Sequence, residues 1–195
     1  MNLPNKLSLL RIFMVPIFVV AFYLSWEYAR AISAGIFVLA TLTDFLDGYI
    51  ARKHNLVTDL GKLLDPIADK LLVTAALFCI VSASQPQHSV ALSVGATIIV
   101  GRELLVSAIR QIGASKGVII SANVFGKIKT IFQDVALPII VLLQCPAIYE
   151  LLGDSVTYAV LCWLGAILFV LATIMTIVSG AIYVVQNKKV FGGAN

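Results

Sequence analysis

The stretch DFLDGYIARKHNLVTDLGKLLDPIAD, residues 44–69, carries five aspartates between two hydrophobic runs. Asp44 and Asp47 are three residues apart, and Asp65 and Asp69 are four apart. On a helix either spacing puts both side chains on one face. The pattern predicts two helices joined by a turn over residues 53–60. Packed antiparallel, they would direct four carboxylates at a common spot. Two carboxylates about 5 Å apart repel by about 3 kcal/mol at an effective dielectric near 20. An acid deep in a membrane helix costs roughly 2.5–3.5 kcal/mol more. Such a cluster needs either protons or divalent cations. Oxygen-only ligands favour hard ions such as Mg²⁺, Mn²⁺ or Ca²⁺.

The surroundings of the stretch explain why it is unusual. Of the 195 residues, 60% are hydrophobic and only 12% are charged, with a mean hydropathy of +0.99. A soluble domain of this size is nearer a quarter charged, so the composition points to a membrane protein. Lys and Arg (14) exceed Asp and Glu (10). In a lipid-embedded chain that excess favours anionic headgroups or phosphorylated substrates over nucleic acid. Cys79, Cys145 and Cys162 lie in apolar runs without framework spacing, which argues against disulfides or zinc. His54 and His88 have no His or Cys partner at ligand spacing.

Six apolar segments are each near the ~20 residues that cross a bilayer: about 7–26, 31–52, 61–84, 89–111, 127–148 and 156–185. The expected architecture is an all-α integral membrane protein, a single bundle of six transmembrane helices with short connections. The first segment lacks a small-x-small cleavage site, so it reads as a span and not a signal peptide. With both termini in the cytoplasm, every Lys and Arg except Arg30 falls at a cytoplasmic end or loop, a positive-inside pattern. The aspartates share that side.

Within the stretch, Gly48 removes a side chain where a ligand approaches the backbone, and Ala51 keeps the next turn small. Arg52 offers a planar fork for phosphate, Thr58 a hydroxyl, and Gly61 a close helix contact. Acids near a helix end are often simply solvated, and Asp59 reads that way. Four acids in two pairs, interleaved with Gly and Arg, read instead as a metal site for a pyrophosphate.

The stretch matches, at every fixed position, the motif D-x2-D-G-x2-A-R-x8-G-x3-D-x3-D: Asp44, Asp47, Gly48, Ala51, Arg52, Gly61, Asp65 and Asp69. It thereby resembles the CDP-alcohol phosphatidyltransferase family, with residues 1–195 as one such membrane domain. The resemblance implies transfer of a phosphatidyl group from a CDP-linked lipid to an alcohol, releasing CMP. It implies that Asp44, Asp47, Asp65 and Asp69 hold Mg²⁺ or Mn²⁺, as two ions, and that Asp69 is the general base. Gly48, Arg52 and Thr58 would contact the cytidine diphosphate portion. A homodimer is also expected on the family's account, and no nucleic-acid partner.

The acceptor lies outside the stretch. Arg102, Arg110, Lys116, Lys127 and Lys129 flank one loop and its helix ends, with Arg102 and Glu103 a turn or two inside the fourth helix. Snorkelling explains Lys116. Arg102, Arg110, Lys127 and Lys129 together suggest a second anion, such as a phosphorylated acceptor. The segments NLPNKLSLLR, GREL and SANVFGKIKT resemble bacterial phosphatidylglycerophosphate synthases within the family. That resemblance implies glycerol 3-phosphate as acceptor and the bacterial cytoplasmic membrane as location. Asn5, Ser8 and Arg11 fit the same site, or equally an N-terminal cap and a snorkelling cation. The alternatives are a sister transferase using inositol phosphate, serine or phosphatidylglycerol, a divalent-cation transporter with acids near mid-bilayer, and a non-catalytic scaffold.

Overall fold

The computed structural model describes residues 3–54, 59–115 and 124–187, and the side chains of 7–44, 67, 68, 70–114 and 124–187. Among the described residues the chain is entirely helical. The helices are α1 (Leu3–Tyr23), α2 (Ala29–His54), α3 (Asp59–Ser82), α4 (Pro86–Ser115), α5 (Val124–Leu143), α6 (Pro146–Leu152) and α7 (Val156–Gln186). The six apolar runs of the sequence correspond to the six long helices. The turn between α2 and α3 is shorter than expected, because α2 continues to His54 and α3 begins at Asp59.

The fifth run is not one straight helix. α5 ends at Leu143, and α6 leaves it at a bend of 80°. Pro146 is the cause: it opens α6 at a position where its missing N–H costs least, and it cannot prolong α5. The backbone groups freed by the bend are taken up by side chains. The Tyr158 hydroxyl donates to the Leu143 carbonyl at 3.0 Å, and Arg30 Nη1 donates to the Gln144 carbonyl at 2.5 Å. Gln144 Nε2 donates in turn to the Ile80 carbonyl at 3.1 Å.

α4 and α7 are each long and apolar enough to cross a membrane, and the bent pair α5–α6 makes a third such segment. α7, with 31 residues, is about 46 Å long at 1.5 Å per residue, more than the roughly 30 Å of a hydrocarbon layer. The outward surface agrees. Phe13, Val20, Trp163 and Val170 are more than half exposed, a surface that water would not tolerate at this extent. Tyr23, Trp26, Tyr28 and Tyr149 are exposed at the end where α1 stops and α2 starts, as in the aromatic belt at a bilayer surface.

The core sits between α1, α2, α3 and α5. Phe18 packs on Phe22 and Phe37 with ring centroids 6.4 and 6.2 Å apart, and Leu72, Leu77, Ile80, Leu137 and Val141 close around them. α1 packs on both α2 and α3, α5 runs along α7 and touches α2, and α4 lies against α7 and α3. Small residues permit these approaches. A Cβ on Gly95 of α4 would come within 2.5 Å of the Phe169 ring of α7. Hydroxyls on the buried face of α7 are satisfied locally: Thr173 and Thr176 donate to the carbonyls of Phe169 and Ala172 at 2.9 and 2.6 Å.

Candidate active site

The aspartates gather at one end of the bundle by helix direction alone. Asp44 and Asp47 lie in the second half of α2, which runs on to His54, and Asp65 and Asp69 lie in the first half of α3, which begins at Asp59. Asp47, Gly48, Ala51, Arg52, Gly61, Asp65 and Asp69 are placed on these helices, but their side chains lie outside those described. Thr58 and Lys116 lie outside the described residues altogether. Of the motif's carboxylates, Asp44 is the one whose surroundings are defined.

Asp44 already has a counter-charge. Arg11 Nη1 of α1 meets Asp44 Oδ1 at 2.7 Å. The Arg11 side chain is 1% exposed and that of Asp44 is 45% exposed. The snorkelling considered for Arg11 is therefore wrong. Its guanidinium points into the bundle because a buried cation is tolerable only when paired, and Asp44 supplies the partner. Ser8, one turn earlier, is buried beside it. The structure thus relieves part of the carboxylate repulsion with a protein cation. The half-exposed Asp44 carboxylate remains an all-oxygen donor, and the motif as a whole fits a hard dication. Among the described residues no three His, Cys, Asp or Glu side chains converge as a metal site.

A further acid faces this end. Asp134 of α5 lies within electrostatic reach of Asp44 and of Lys129, where α5 packs on α2. The sequence reading passed over it. An ionisable residue inside the apolar run IFQDVALP is a functional candidate by default, and that signal was available.

The basic residues divide into two groups. Glu103 joins the first. Its Oε1 accepts from Arg102 Nη1 at 3.0 Å and from Lys129 Nζ of α5 at short range. Lys129 is 2% exposed. Arg102 lies deeper than one or two turns inside α4, about three and a half turns before its end at Ser115. Its stem passes Gly180 of α7, where an added Cβ would come within 3.1 Å of Arg102 Cγ. Among the described residues, Arg102 Nε and the Oε1 of the buried Gln133 have no hydrogen-bond partner. The cluster that Arg102 and Lys129 form with Glu103 therefore holds a buried donor, Arg102 Nε, that none of the described residues uses. The second group is Arg110, whose Nε donates to the Tyr183 hydroxyl at 3.1 Å with its guanidinium 5.6 Å from that ring's centroid. Lys127 is exposed on the first turn of α5. The structure thus brings Arg102 and Lys129 together through Glu103, and holds Arg110 of α4 separately against Tyr183 of α7.

Comparison with known proteins identifies the family. Residues 1–179 match the CDP-alcohol phosphatidyltransferase family. A Rickettsia bellii protein named CDP-diacylglycerol–glycerol-3-phosphate 3-phosphatidyltransferase is 40% identical over 190 residues, 97% of each chain. The Bacillus subtilis protein of that name is 38% identical over 206 aligned positions, covering 100% of this chain and 99% of its own. The Salmonella typhimurium one is 41% identical over 138 residues, 70% of this chain and 74% of its own. The coverage includes both the aspartate hairpin and the Arg102–Lys129 region, and the chain belongs to the CDP-alcohol phosphatidyltransferase family.

Proposed function

We propose that the protein transfers the phosphatidyl group of CDP-diacylglycerol to glycerol 3-phosphate, giving phosphatidylglycerol phosphate and CMP. The observation that carries the reading is the unbroken motif from Asp44 to Asp69, in a chain that matches the Rickettsia bellii and Bacillus subtilis enzymes of one name along nearly their whole length.

Asp44, Asp47, Asp65 and Asp69 would hold the divalent ions, Mg²⁺ or Mn²⁺ as a pair. When bound, they neutralise the pyrophosphate and the charge that develops on the leaving CMP. Arg11 fixes the Asp44 carboxylate from the side of α1. Gly48 leaves room for the diphosphate, and Arg52 and Thr58 contact the cytidine diphosphate portion. Asp69 removes the proton from the primary hydroxyl of glycerol 3-phosphate. That oxygen forms a bond to the lipid-side phosphorus, the bond from this phosphorus to the CMP oxygen breaks, and CMP leaves with the electron pair. Arg102, Arg110, Lys127 and Lys129 receive the acceptor's own phosphate. Support for this role comes from the Nε of Arg102, a buried donor without a hydrogen-bond partner among the described residues.

The whole chain, residues 1–195, acts as one domain. It crosses the bacterial cytoplasmic membrane six times with both termini in the cytoplasm, and it works as a homodimer. The clustering of Lys and Arg at the aspartate end supports this sidedness.

The test is product identity. Purified protein with Mg²⁺ or Mn²⁺, CDP-diacylglycerol and glycerol 3-phosphate should yield a lipid with the mass of phosphatidylglycerol phosphate. Asp69→Asn should lower turnover by at least about 10²-fold while CDP-lipid binding changes little. Equal loss of both would make Asp69 a metal ligand only.

A further inference from the structure

A large cavity lies at the end of the bundle away from the aspartates. It is a groove of about 1090 Å³ between α4, α5 and α7, beneath the α5–α6 bend, slightly above the ~300–1,000 Å³ usual for ligand sites. Arg30, at its mouth, is about 21 Å along α2 from Asp44 at 1.5 Å per residue. The groove has two chemically distinct parts. Its trough is apolar, with Leu92, Phe169 and Val170 among its walls. Its rim is open sideways, since Val94, Val170 and Ile174 are about half exposed. Its mouth is polar and lies at the aromatic end of the helices.

Two groups at the mouth define what it can hold. The first is Gln144. Its Nε2 donates to the Ile80 carbonyl, which fixes the amide orientation, because the reversed amide would set oxygen against oxygen. Among the described residues the Oε1 is then a buried acceptor without a donor, a rare condition in a folded protein. The second is Arg30. Its guanidinium has five N–H donors, and Nη1 is engaged by the Gln144 carbonyl. The ring of Phe22, 5.2 Å below Cζ, holds it in place. A cation beside an unfilled acceptor calls for one ligand that carries both an anion and a hydroxyl donor. An adjoining trough that opens to the lipid side calls for an alkyl chain.

We propose that this groove binds an anionic glycerophospholipid with a hydroxyl-bearing headgroup, one acyl chain lying in the trough. Its phosphate meets Arg30 and a headgroup hydroxyl donates to Gln144 Oε1. A choline headgroup has no donor for that oxygen and no net negative charge for Arg30, so such a lipid fills the trough without filling the mouth. The site is separate from the aspartate end and needs only a bilayer around the bundle.

The experiment measures lipid retention by the full-length protein in detergent. The protein is equilibrated with equal amounts of phosphatidylglycerol and phosphatidylcholine, and bound lipid is counted by native mass spectrometry. Phosphatidylglycerol should exceed phosphatidylcholine by about fivefold or more, the effect of one or two hydrogen bonds. Gln144→Leu and Arg30→Gln should each bring the ratio towards one. Both residues also brace the bend, so a third variant guards against misfolding. Ala166→Phe fills the trough from an exposed position on α7, and should expel both lipids while CMP release stays unchanged. Equal retention of the two lipids by the unaltered protein would overturn the proposal, as would full retention by Ala166→Phe. So would a disulfide between the Cys162 side chains of two copies, because Cys162 lines the groove and its pairing would mean a second chain covers it. Retention is read without turnover, so failure here leaves the proposed reaction untouched.

Discussion

Arg11 and Asp44 are 33 positions apart in sequence and in contact in space. If the pair acts as a unit, Arg11→Met and Asp44→Asn should be non-additive in thermal stability. A coupling of at least about 0.5 kcal/mol is expected for residues in contact, and additivity would contradict the pairing. Glu103 sets up a second asymmetry. Glu103→Gln leaves Lys129, 2% exposed, as a buried cation without its carboxylate. That should cost about 3 kcal/mol or more. Lys129→Met leaves Glu103 with Arg102 and 24% exposed, and should cost less. Melting in detergent checks the order, and the reverse order would remove Glu103 as the anchor of the cluster. The residue-level reading of the sequence was uneven for a physical reason. The aspartates were legible because their partners in the pattern lie three or four positions away. The bonds from Arg11 and Glu103 cross between helices, and no local spacing encodes them. Asp134 falls between: its partner is distant, but its cost in an apolar run is visible.

Helix positions were legible from hydropathy because the long helices are apolar over most of their length. The α5–α6 bend was not, since Leu143, Ala147 and Leu152 look apolar on both sides of the break. Pro146 was its one local sign. Helix order in the sequence also said little about neighbours, because α2 meets α5 and α4 meets α7, the latter through Gly95 and Gly180. One of those contacts bears on the site. The absence of a side chain at Gly180 lets α7 pass the Arg102 stem. Gly180→Leu should push Arg102 aside and raise the KM for glycerol 3-phosphate by about tenfold, the worth of one charge-assisted hydrogen bond. The KM for CDP-diacylglycerol should not change. A rise in both would mean that α7 itself is displaced.

At the scale of the whole molecule, the bundle separates its chemistry along the helix axes. Carboxylates, Arg11 and most cations gather at one end, and aromatic residues and the lipid-facing groove at the other. That polarity suits an enzyme that takes one substrate from the membrane and one from water. The acceptor is the central claim, because the CDP-lipid half follows from the motif and the phosphate half from Arg102, Arg110, Lys127 and Lys129. The direct measurement is CMP release by the purified protein from CDP-diacylglycerol with Mg²⁺ or Mn²⁺, across glycerol 3-phosphate, serine, inositol phosphate and phosphatidylglycerol. Glycerol 3-phosphate should give the highest kcat/KM. A faster reaction with serine would contradict the acceptor assignment, and no CMP with any acceptor would contradict the transferase itself.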